Sequence, residues 1–482
     1  MRDFRPIFLV TGSLLAVLAV AMGIPAAVDL YFGNPDWQVF AVSAGFTLFA
    51  GVSLILTSRG SRTHFTLRHG FLMTTVIWVA LTVFGSLPLM FSEMNLTFTD
   101  AFFESMSGIT TTGSTVIVAL DTAPPGILLW RAMLQWLGGL GIIVMAISIL
   151  PMLKVGGMQL FKVEAFDADD KVAPKAAQMS AGLTIIYVAL TVIWAVMLWA
   201  AGMTGFEAVC HAMTTIATGG FSTSDGSVGH FDSALIDVIT TFGMVVGSLP
   251  FILYLRVVRG DVKTLFRDSQ VQWFLTFAAA TVLITAAFLW VGKNLMPLDA
   301  LRYASFNIVS IMTGTGFATS DYSHWGAFAT PVFFLIMVVG GCAGSTTCGI
   351  KIFRFQVVFA AAHTHLKQLL QPHGVFIPYY NRRPISDEVI VSVLGFFFLF
   401  ATTFSFLALG LGMMGLDFLT AMSSAATAIA NVGPGLGDIV GPAGNFSSLP
   451  DGAKWMMAAG MLLGRLELFT VLVLFTRSFW RE

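Results

Sequence analysis

The chain has 482 residues, of which 56% are hydrophobic and only 11% charged, and its mean hydropathy is +0.83. This composition excludes an ordinary soluble globular protein. The net charge of −1 by itself says nothing about nucleic-acid partners, and we expect none. The three cysteines, Cys210, Cys342 and Cys348, provide neither a disulfide framework nor a CxxC metal pattern. We predict an all-α integral membrane protein surrounded by membrane lipid.

Apolar windows of about 20 residues, the length that crosses about 30 Å of hydrocarbon, follow one another along the chain. They lie at 7–30, 37–57, 71–91, 127–151, 181–202, 234–257, 272–292, 331–352, 389–411 and 455–476. The sequence therefore predicts ten transmembrane spans. The first window is too long for the apolar core of a signal peptide, so we interpret it as a retained membrane helix.

A short segment recurs four times as a helical run of about ten residues that ends in a polar turn around one glycine. The glycines are Gly113, Gly219, Gly316 and Gly433, at intervals of 106, 97 and 117 residues. The turns fall between spans three and four, five and six, seven and eight, and nine and ten. Each unit is therefore predicted to consist of a helix, a re-entrant half-helix with its turn, and a second helix.

Four near-equal units in a membrane protein indicate a pseudo-fourfold arrangement around one hole. We divide the chain into an N-terminal hairpin with its connector at 1–70 and pore repeats at 71–178, 179–270, 271–385 and 386–482. The predicted fold thus has ten spans and four re-entrant half-helices.

The distribution of Lys and Arg predicts the orientation, because cytoplasmic segments are enriched in both. With a cytoplasmic N-terminus, 20 of the 25 Lys and Arg residues fall on the inner side, and the C-terminus is also cytoplasmic. The inner residues are Arg2, Arg5, Arg59, Arg62, Arg68, Lys154, Lys162, Lys171, Lys175, Arg256, Arg259, Lys263, Arg267, Lys351, Arg354, Lys367, Arg382, Arg383, Arg477 and Arg481. All four glycine turns then face outside.

The outer segments carry more acids than bases, and this excess either concentrates cations at the pore mouth or forms a merely soluble rim. The acids are Glu93, Asp100, Glu104, Asp121, Asp225, Asp232, Asp299, Asp321, Asp417 and Asp438. The outer bases are Arg131, Lys293, Arg302 and Lys454.

Non-helical backbone at membrane depth leaves peptide groups unpaired unless it lines water or coordinates an ion. Each half-helix also directs the negative end of its dipole toward the turn, and a ring of carbonyl oxygens can replace the hydration shell of K⁺. We therefore predict a cation filter that binds K⁺. Its residues are Thr111, Thr112, Gly113, Ala217, Thr218, Gly219, Gly314, Thr315, Gly316, Asn431, Val432 and Gly433.

Span eight is interrupted at 340–351, where glycines and hydroxyl residues disfavour a continuous helix. The segment either enters the pore as a gate or packs against another helix through the small residues Gly340 and Gly344. The predicted gate residues are Gly340, Gly341, Gly344, Ser345, Thr346, Thr347, Gly349 and Arg465. Arg465 lies midway along span ten, where a charge is costly, and either faces the pore or pairs between helices. Glu467, two positions on, is a poor partner for it.

These turns and the interrupted span resemble the Trk/Ktr/HKT superfamily of potassium transporters, in which four units on one chain form a pore with one filter glycine per unit. The extra hairpin is similar to the bacterial TrkH/TrkG branch. The resemblance implies K⁺ uptake across the bacterial inner membrane, a gating loop in span eight, a homodimer, and a cytosolic nucleotide-binding RCK subunit of the TrkA type. Thr347 and Cys348 stand where this branch usually has glycines.

We expect K⁺ as the transported ion and no organic cofactor on this chain. A Na⁺-permeable or proton-coupled K⁺ symporter is the alternative transport function, and Glu467 is the only acid deep in a late span. The sequence contains no cluster of nucleophile and base, or of metal ligands, at membrane depth, so we predict that the chain is not an enzyme. A structural scaffold would not explain four polar turns inside the membrane.

Overall fold

A computed structural model describes residues 3–58, 66–148, 156–157, 160 and 172–481 of the chain. In these ranges the regular structure is helical except for one small β-hairpin, in which Tyr379–Tyr380 pairs with the antiparallel strand Arg383–Pro384. The predicted all-α class is therefore confirmed for this part of the protein. Some of the predicted inner cations lie outside the described residues, namely Arg2, Arg59, Arg62, Lys154, Lys162 and Lys171, as does the end of the fourth predicted window.

Seven helices in the described ranges are long and apolar enough to cross a membrane. They are Arg5–Phe32, Trp37–Thr57, Leu67–Gly85 as continued by Leu87–Phe91, Pro125–Ser148, Val172–Ala200, Ser269–Lys293 and Asp387–Met413. The other helices in these ranges, apart from those described below, either are short or come after a membrane span along the chain. They are Lys263–Arg267, Ile352–Leu370 and Arg477–Trp480, with 3₁₀ turns at Leu120–Thr122, Ser227–Phe231, Tyr322–Trp325 and Val473–Phe475.

Two further apolar stretches are sharply bent. Ala234–Gly247 and Phe251–Val258 meet at 99°, and Asp451–Arg465 meets the helical stretch Phe469–Phe475 at 107°. At the second bend, Glu467 and Leu468 both have positive φ, at 63° and 42°, which ends the helix. Counting each bent pair as one span gives nine spans in the described residues.

The predicted count of ten spans is not confirmed, because the eighth window does not form one helix. Only Ala329–Val338 is helical there, and its 10 residues are too few to cross the hydrocarbon layer. The chain then runs without helix through 340–351 before the helix Ile352–Leu370 begins. The predicted interruption is therefore present, and it divides this span.

Four short helices occupy the positions predicted for the half-helices. Half-helices one to four are Phe98–Ile109, Gly205–Ile216, Pro297–Met312 and Phe418–Ala430. They contain 12, 12, 16 and 13 residues, which is too short to cross the membrane.

The half-helices begin where capping residues satisfy the first backbone amides. The side chains of Thr97, Thr204 and Asp417 each accept a hydrogen bond from the amide three residues on. Half-helix three instead begins with Pro297, which has no amide hydrogen to satisfy. The C-terminal halves of all four helices are buried, so they lie in the interior of the helix bundle.

Candidate functional site

All four half-helices end in the same backbone geometry. The first residue of each turn is left-handed, with φ of 53° at Thr111, 51° at Thr218, 68° at Gly314 and 52° at Asn431. The next residue donates its amide hydrogen to the carbonyl five residues back. The donors at this second position are Thr112, Gly219, Thr315 and Val432. Their acceptors are, in the same order, the carbonyls of Ser107, Thr214, Ser310 and Thr427. Every turn thus reverses the chain in the same way.

The third position of each turn is a glycine with positive φ. These glycines are Gly113, Gly220, Gly316 and Gly433, with φ of 90°, 79°, 84° and 109°. The sequence pattern predicts Gly219 at this position in the second turn, and that register is wrong by one residue. Gly219 occupies the position of Thr112, and Ala217 precedes the turn. Two of the four turns, the first and the third, therefore place a threonine before the glycine.

The four turns face one another around a common axis. A methyl group placed on Gly113 would lie 2.2 Å from the carbonyl oxygen of Gly219, and one on Gly220 would lie 1.9 Å from that of Thr315. In the same way, a methyl group on Gly316 would lie 2.2 Å from the carbonyl oxygen of Val432. One on Gly433 would lie 3.0 Å from that of Thr112, which brings the series back to the first turn. Each glycine therefore packs against the next turn, and four such contacts complete a ring.

Side-chain amides hold the turns in this ring. Gln135 donates to the Gly219 carbonyl over 2.6 Å and accepts from the Phe221 amide over 3.0 Å. Asn431 donates to the hydroxyl of Thr112 over 2.8 Å and to the carbonyl of Met461 over 2.9 Å. The bond from Asn431 to Thr112 joins the fourth turn to the first.

A buried ion pair supports the turns from behind. The guanidinium of Arg131 donates to Glu104 over 2.8 Å, and the two side chains are 1% and 0% exposed. Arg131 also donates to the carbonyl of Ser222 and to the hydroxyl of Thr115, so it connects the first turn to the second. Its guanidinium carbon lies 4.1 Å from the ring centroid of Phe221. The sequence did not predict this role, because Glu104 and Arg131 are both assigned to the outer segments by their position along the chain.

Several acids of the predicted outer rim are neutralised by nearby bases. Lys454 donates to Asp100 over 2.6 Å, and Arg302 donates to Asp237 over 2.6 Å and to Asp232 over 3.5 Å. Together with Glu104, these pairs remove part of the predicted negative charge. Among the remaining acids, Asp121, Asp225 and Asp438 are exposed.

Outside the membrane-spanning helices, the N-terminal cap of half-helix four shows a shifted acid. The Asp417 carboxylate accepts hydrogen bonds from the Thr420 side chain and amide, and these hold its pKa below the usual range. This carboxylate is therefore ionised at neutral pH and complements the positive end of the helix dipole.

The 340–351 segment folds back on itself inside the protein. The amide of Gly340 donates to the carbonyl of Ile350, and the amide of Ile350 donates to the carbonyl of Val338. A methyl group on Gly340 would lie 1.9 Å from the carbonyl oxygen of Cys348, so this close approach requires glycine. Neither Gly340 nor Gly344 is helical. The alternative that they form a small-residue face between helices is therefore wrong.

Thr346 at the tip of this segment lies against the end of half-helix two. Its hydroxyl is 3.1 Å from the carbonyl oxygen of Ile216 and 2.9 Å from that of Gly247, and it accepts from the hydroxyl of Thr218 over 3.0 Å. Its amide also donates to the Gly247 carbonyl. The predicted gate residue Thr346 and the predicted filter residue Thr218 are thus in direct contact.

The other predicted gate residues lie along the same folded segment. The Ser345 hydroxyl donates to the Cys342 carbonyl and is 2.8 Å from the Thr347 hydroxyl. Gly344 and Gly349 have positive φ, at 73° and 70°. A methyl group on Gly341 would meet the Thr347 side chain at 2.7 Å. The segment is therefore internally bonded and closely packed.

Arg465 connects this segment to a neighbouring helix. Its side chain is buried and donates to the carbonyl of Thr346 over 2.9 Å and to the carbonyl of Gly138 over 3.0 Å. It also lies 2.7 Å from the sulfur of Cys348. Glu467 does not pair with it and instead binds Arg354. A cavity of about 20 Å³, room for about one water, lies beside Arg465 and the 340–351 segment.

Comparison with known proteins shows the family. The TrkH family model, described as cation transport protein, matches residues 37–481. The Trk system potassium uptake protein TrkI of Halomonas elongata is 45% identical over 487 residues, covering 100% of this chain and 98% of that protein. TrkH of Escherichia coli strain K12 is 39% identical, covering 99% of this chain and 100% of that protein.

The fold matches as well. The crystal structure of the potassium transporter TrkH from Vibrio parahaemolyticus superposes with a TM-score of 0.92 at 37% identity, and the match covers 100% of both chains. The members of this family are transport proteins, which confirms the prediction that the chain is not an enzyme. The apolar helices and these relatives together establish a multi-pass membrane protein, and the chain belongs to the TrkH family of cation transport proteins.

Proposed function

We propose that this protein takes up K⁺ across the bacterial inner membrane through a gated pore whose filter is the ring of four glycine turns. The observation that carries the proposal is the closed series of contacts in which each turn glycine meets the carbonyl of the next turn. The relatives named as potassium uptake proteins support K⁺ as the transported ion. We assign the four units to 71–178, 179–270, 271–385 and 386–482, after the N-terminal hairpin at 1–70.

The filter works by replacing the hydration shell of the ion. Carbonyl oxygens of the turns provide the ligands, and the C-terminal ends of four half-helices each contribute about half a negative charge toward the centre. The glycines allow the carbonyls to approach the axis, since any side chain there would strike the neighbouring turn. The corrected residues of the second quarter are Thr218, Gly219 and Gly220.

The 340–351 segment and Arg465 form the gate. Thr346 lies against the end of half-helix two, and Arg465 holds the segment there through the Thr346 carbonyl. A buried guanidinium beside the ion path repels cations and so adds an electrostatic barrier. Withdrawal of the segment breaks these hydrogen bonds and opens the path.

Regulation and assembly follow from the family. The protein acts as a homodimer under a cytosolic nucleotide-binding subunit of the TrkA type, with both of its own termini cytoplasmic. The relatives are named as members of the Trk system, which supports this assignment. The inner-side excess of Lys and Arg supports the orientation.

The test is uptake of ⁸⁶Rb⁺ into liposomes that contain only this protein. We expect uptake that K⁺ inhibits and that Na⁺ inhibits much less. Equal inhibition by K⁺ and Na⁺ would identify the Na⁺-permeable alternative. Dependence on a pH gradient would identify proton coupling, which the structure disfavours because Glu467 is bound to Arg354.

A further inference from the structure

An apolar cavity of about 430 Å³ lies between three of the helices that cross the membrane. Its walls come from Arg5–Phe32, Leu67–Gly85 and Pro125–Ser148, together with Ile109 at the end of half-helix one. It is close to three times the size of an apolar cavity of about 150 Å³ that stays dry and binds benzene. Few polar groups line the cavity. One of them, the hydroxyl of Thr74, already donates to the carbonyl of Gly70 over 2.8 Å. The cavity therefore suits a hydrocarbon ligand larger than benzene.

The cavity wall is continuous with an exposed apolar stripe of the first helix. Leu14 and Val17 line the cavity and are 36% and 58% exposed. The same stripe continues through Val20 and Ile24, which are 73% and 54% exposed. These positions repeat every three or four residues and so lie along one side of the helix. An exposed apolar stripe on a membrane-crossing helix faces lipid, so the cavity opens where acyl chains are present.

The inner end of the cavity touches the residues that hold Arg465. Trp78 and Gly138 both line the cavity. The guanidinium of Arg465 lies 5.6 Å from the ring centroid of Trp78 and donates to the carbonyl of Gly138 over 3.0 Å. Whatever fills the cavity is thus separated from Arg465 by one layer of residues.

We propose that one acyl chain of a membrane phospholipid occupies this cavity, entering beside Val17 and ending against Trp78. The chain fills space that would otherwise leave apolar side chains without contacts. As a second step, which rests on the proposed function, the bound chain fixes Trp78 and Gly138 and thereby favours the position of Arg465 that holds the gate segment.

Photolabelling of the full-length protein in lipid nanodiscs tests the site. The probe is a phosphatidylethanolamine with a diazirine near the end of one acyl chain, and labelled peptides are located by mass spectrometry. Gly141→Leu fills the cavity, since an added Cβ has its nearest neighbour at 3.8 Å, on Trp78. Val144→Phe, on the same wall, is a second filling variant. Gly23→Leu is the control, because it adds the same bulk to the first helix at a position with no atom within 4 Å.

We expect label on the peptides that contain Trp78 and Gly138 in the parent protein and in Gly23→Leu, and loss of that label in both filling variants. Each variant is first shown to elute as the parent does on size exclusion. Label that persists in both filling variants overturns the proposal. Label confined to the exposed stripe at Val20 and Ile24 also overturns it.

Labelling does not require transport, so the site and the proposed function fail separately. A protein that is labelled as expected but carries no ⁸⁶Rb⁺ retains the acyl-chain site and loses the proposed function. If transport is present, we expect the filling variants to change ⁸⁶Rb⁺ uptake and Gly23→Leu to leave it unchanged. Loss of label with unchanged uptake supports the site and overturns its link to Arg465.

Discussion

The ion pair of Glu104 and Arg131 shows how a single buried charge can position a whole turn. Arg131 is fully buried and makes hydrogen bonds to Glu104, Thr115 and the carbonyl of Ser222. A buried pair contributes little net stability when it is intact, but removing one partner leaves the other charge desolvated and unpaired. The pair therefore matters most for the arrangement of the turns that it joins.

We expect Glu104→Gln to destabilise the protein strongly. Loss of the carboxylate leaves Arg131 charged and buried, a change that costs about 3–5 kcal/mol in comparable pairs. The measurement is the melting temperature of the detergent-purified protein. Glu93→Gln is the matched control, since Glu93 is exposed. Equal melting temperatures for the two variants would contradict a structural role for the pair.

The position of the glycine in the second turn could not be predicted correctly from the sequence. Two adjacent glycines, Gly219 and Gly220, fit a polar turn around one glycine, and the predicted one, Gly219, is not the glycine at the third position. A better signal is present downstream, because GFSTSD begins at Gly220 and GFATSD begins at Gly316. Only the backbone angles and the contact with Thr315 distinguish the candidates physically.

Gly220→Ala should reduce the preference for K⁺ over Na⁺, as should Gly113→Ser. At Gly220 a methyl group would lie 1.9 Å from the Thr315 carbonyl oxygen, and φ is 79°, so the ring must distort. The readout is competition of Na⁺ with ⁸⁶Rb⁺ uptake. Gly226→Ala is the control, because its added Cβ meets only ordinary contacts at 3.4 Å and beyond. Unchanged selectivity in folded Gly220→Ala would remove this glycine from the filter.

The 340–351 segment is an element whose existence could be predicted but whose contacts could not. Its glycines and hydroxyl residues disfavour helix locally, so the interruption is visible in sequence. The partners of Thr346, by contrast, are Ile216 and Gly247, about a hundred residues away along the chain. Such long-range contacts depend on how the units pack, which local propensity does not encode.

Arg465→Ala should raise ⁸⁶Rb⁺ uptake. The substitution removes the donors to Thr346 and Gly138, which frees the segment, and it removes a positive charge beside the proposed ion path. Initial rates of uptake into liposomes provide the measurement. Arg477→Ala serves as the control, because it removes an exposed cation after the same bend. Uptake equal to that of the parent in Arg465→Ala would exclude a gating role for this arginine.

The four short helices and the turns that end them could be predicted because the period of the turns is strong, whereas the number of continuous helices could not. Hydropathy does not distinguish a straight span from Ala234–Gly247 followed by Phe251–Val258, which bend by 99°. The predicted excess of outer acids overstates the unpaired negative charge, since Glu104 is buried against Arg131 and Asp100 is paired with Lys454. A charge count predicts the side on which a segment lies, but not the partner of each charged residue.

The N-terminal hairpin packs against the first unit, and one of its polar contacts lies at the start of a helix. Asp29, near the end of the first helix, accepts from the amide of Gly126 over 2.6 Å, at the start of the helix Pro125–Ser148. A carboxylate at a helix N-terminus satisfies an otherwise unpaired amide and interacts favourably with the helix dipole. Because Asp29 is completely buried, this contact belongs to the packed interface between the hairpin and the helix Pro125–Ser148.

Gly126→Ala should therefore loosen the hairpin and lower the stability of the assembled protein. The added methyl group would lie 2.1 Å from the Asp29 carboxylate, so either the hairpin or the helix start must shift. Forcing one methyl group into a packed contact costs about 1–3 kcal/mol. Melting temperature in detergent is the readout, and Gly412→Ala, with no atom within 4 Å of its added Cβ, is the control. Since alanine favours helix over glycine at both sites, a Gly126→Ala protein as stable as Gly412→Ala would show that the hairpin does not depend on this contact.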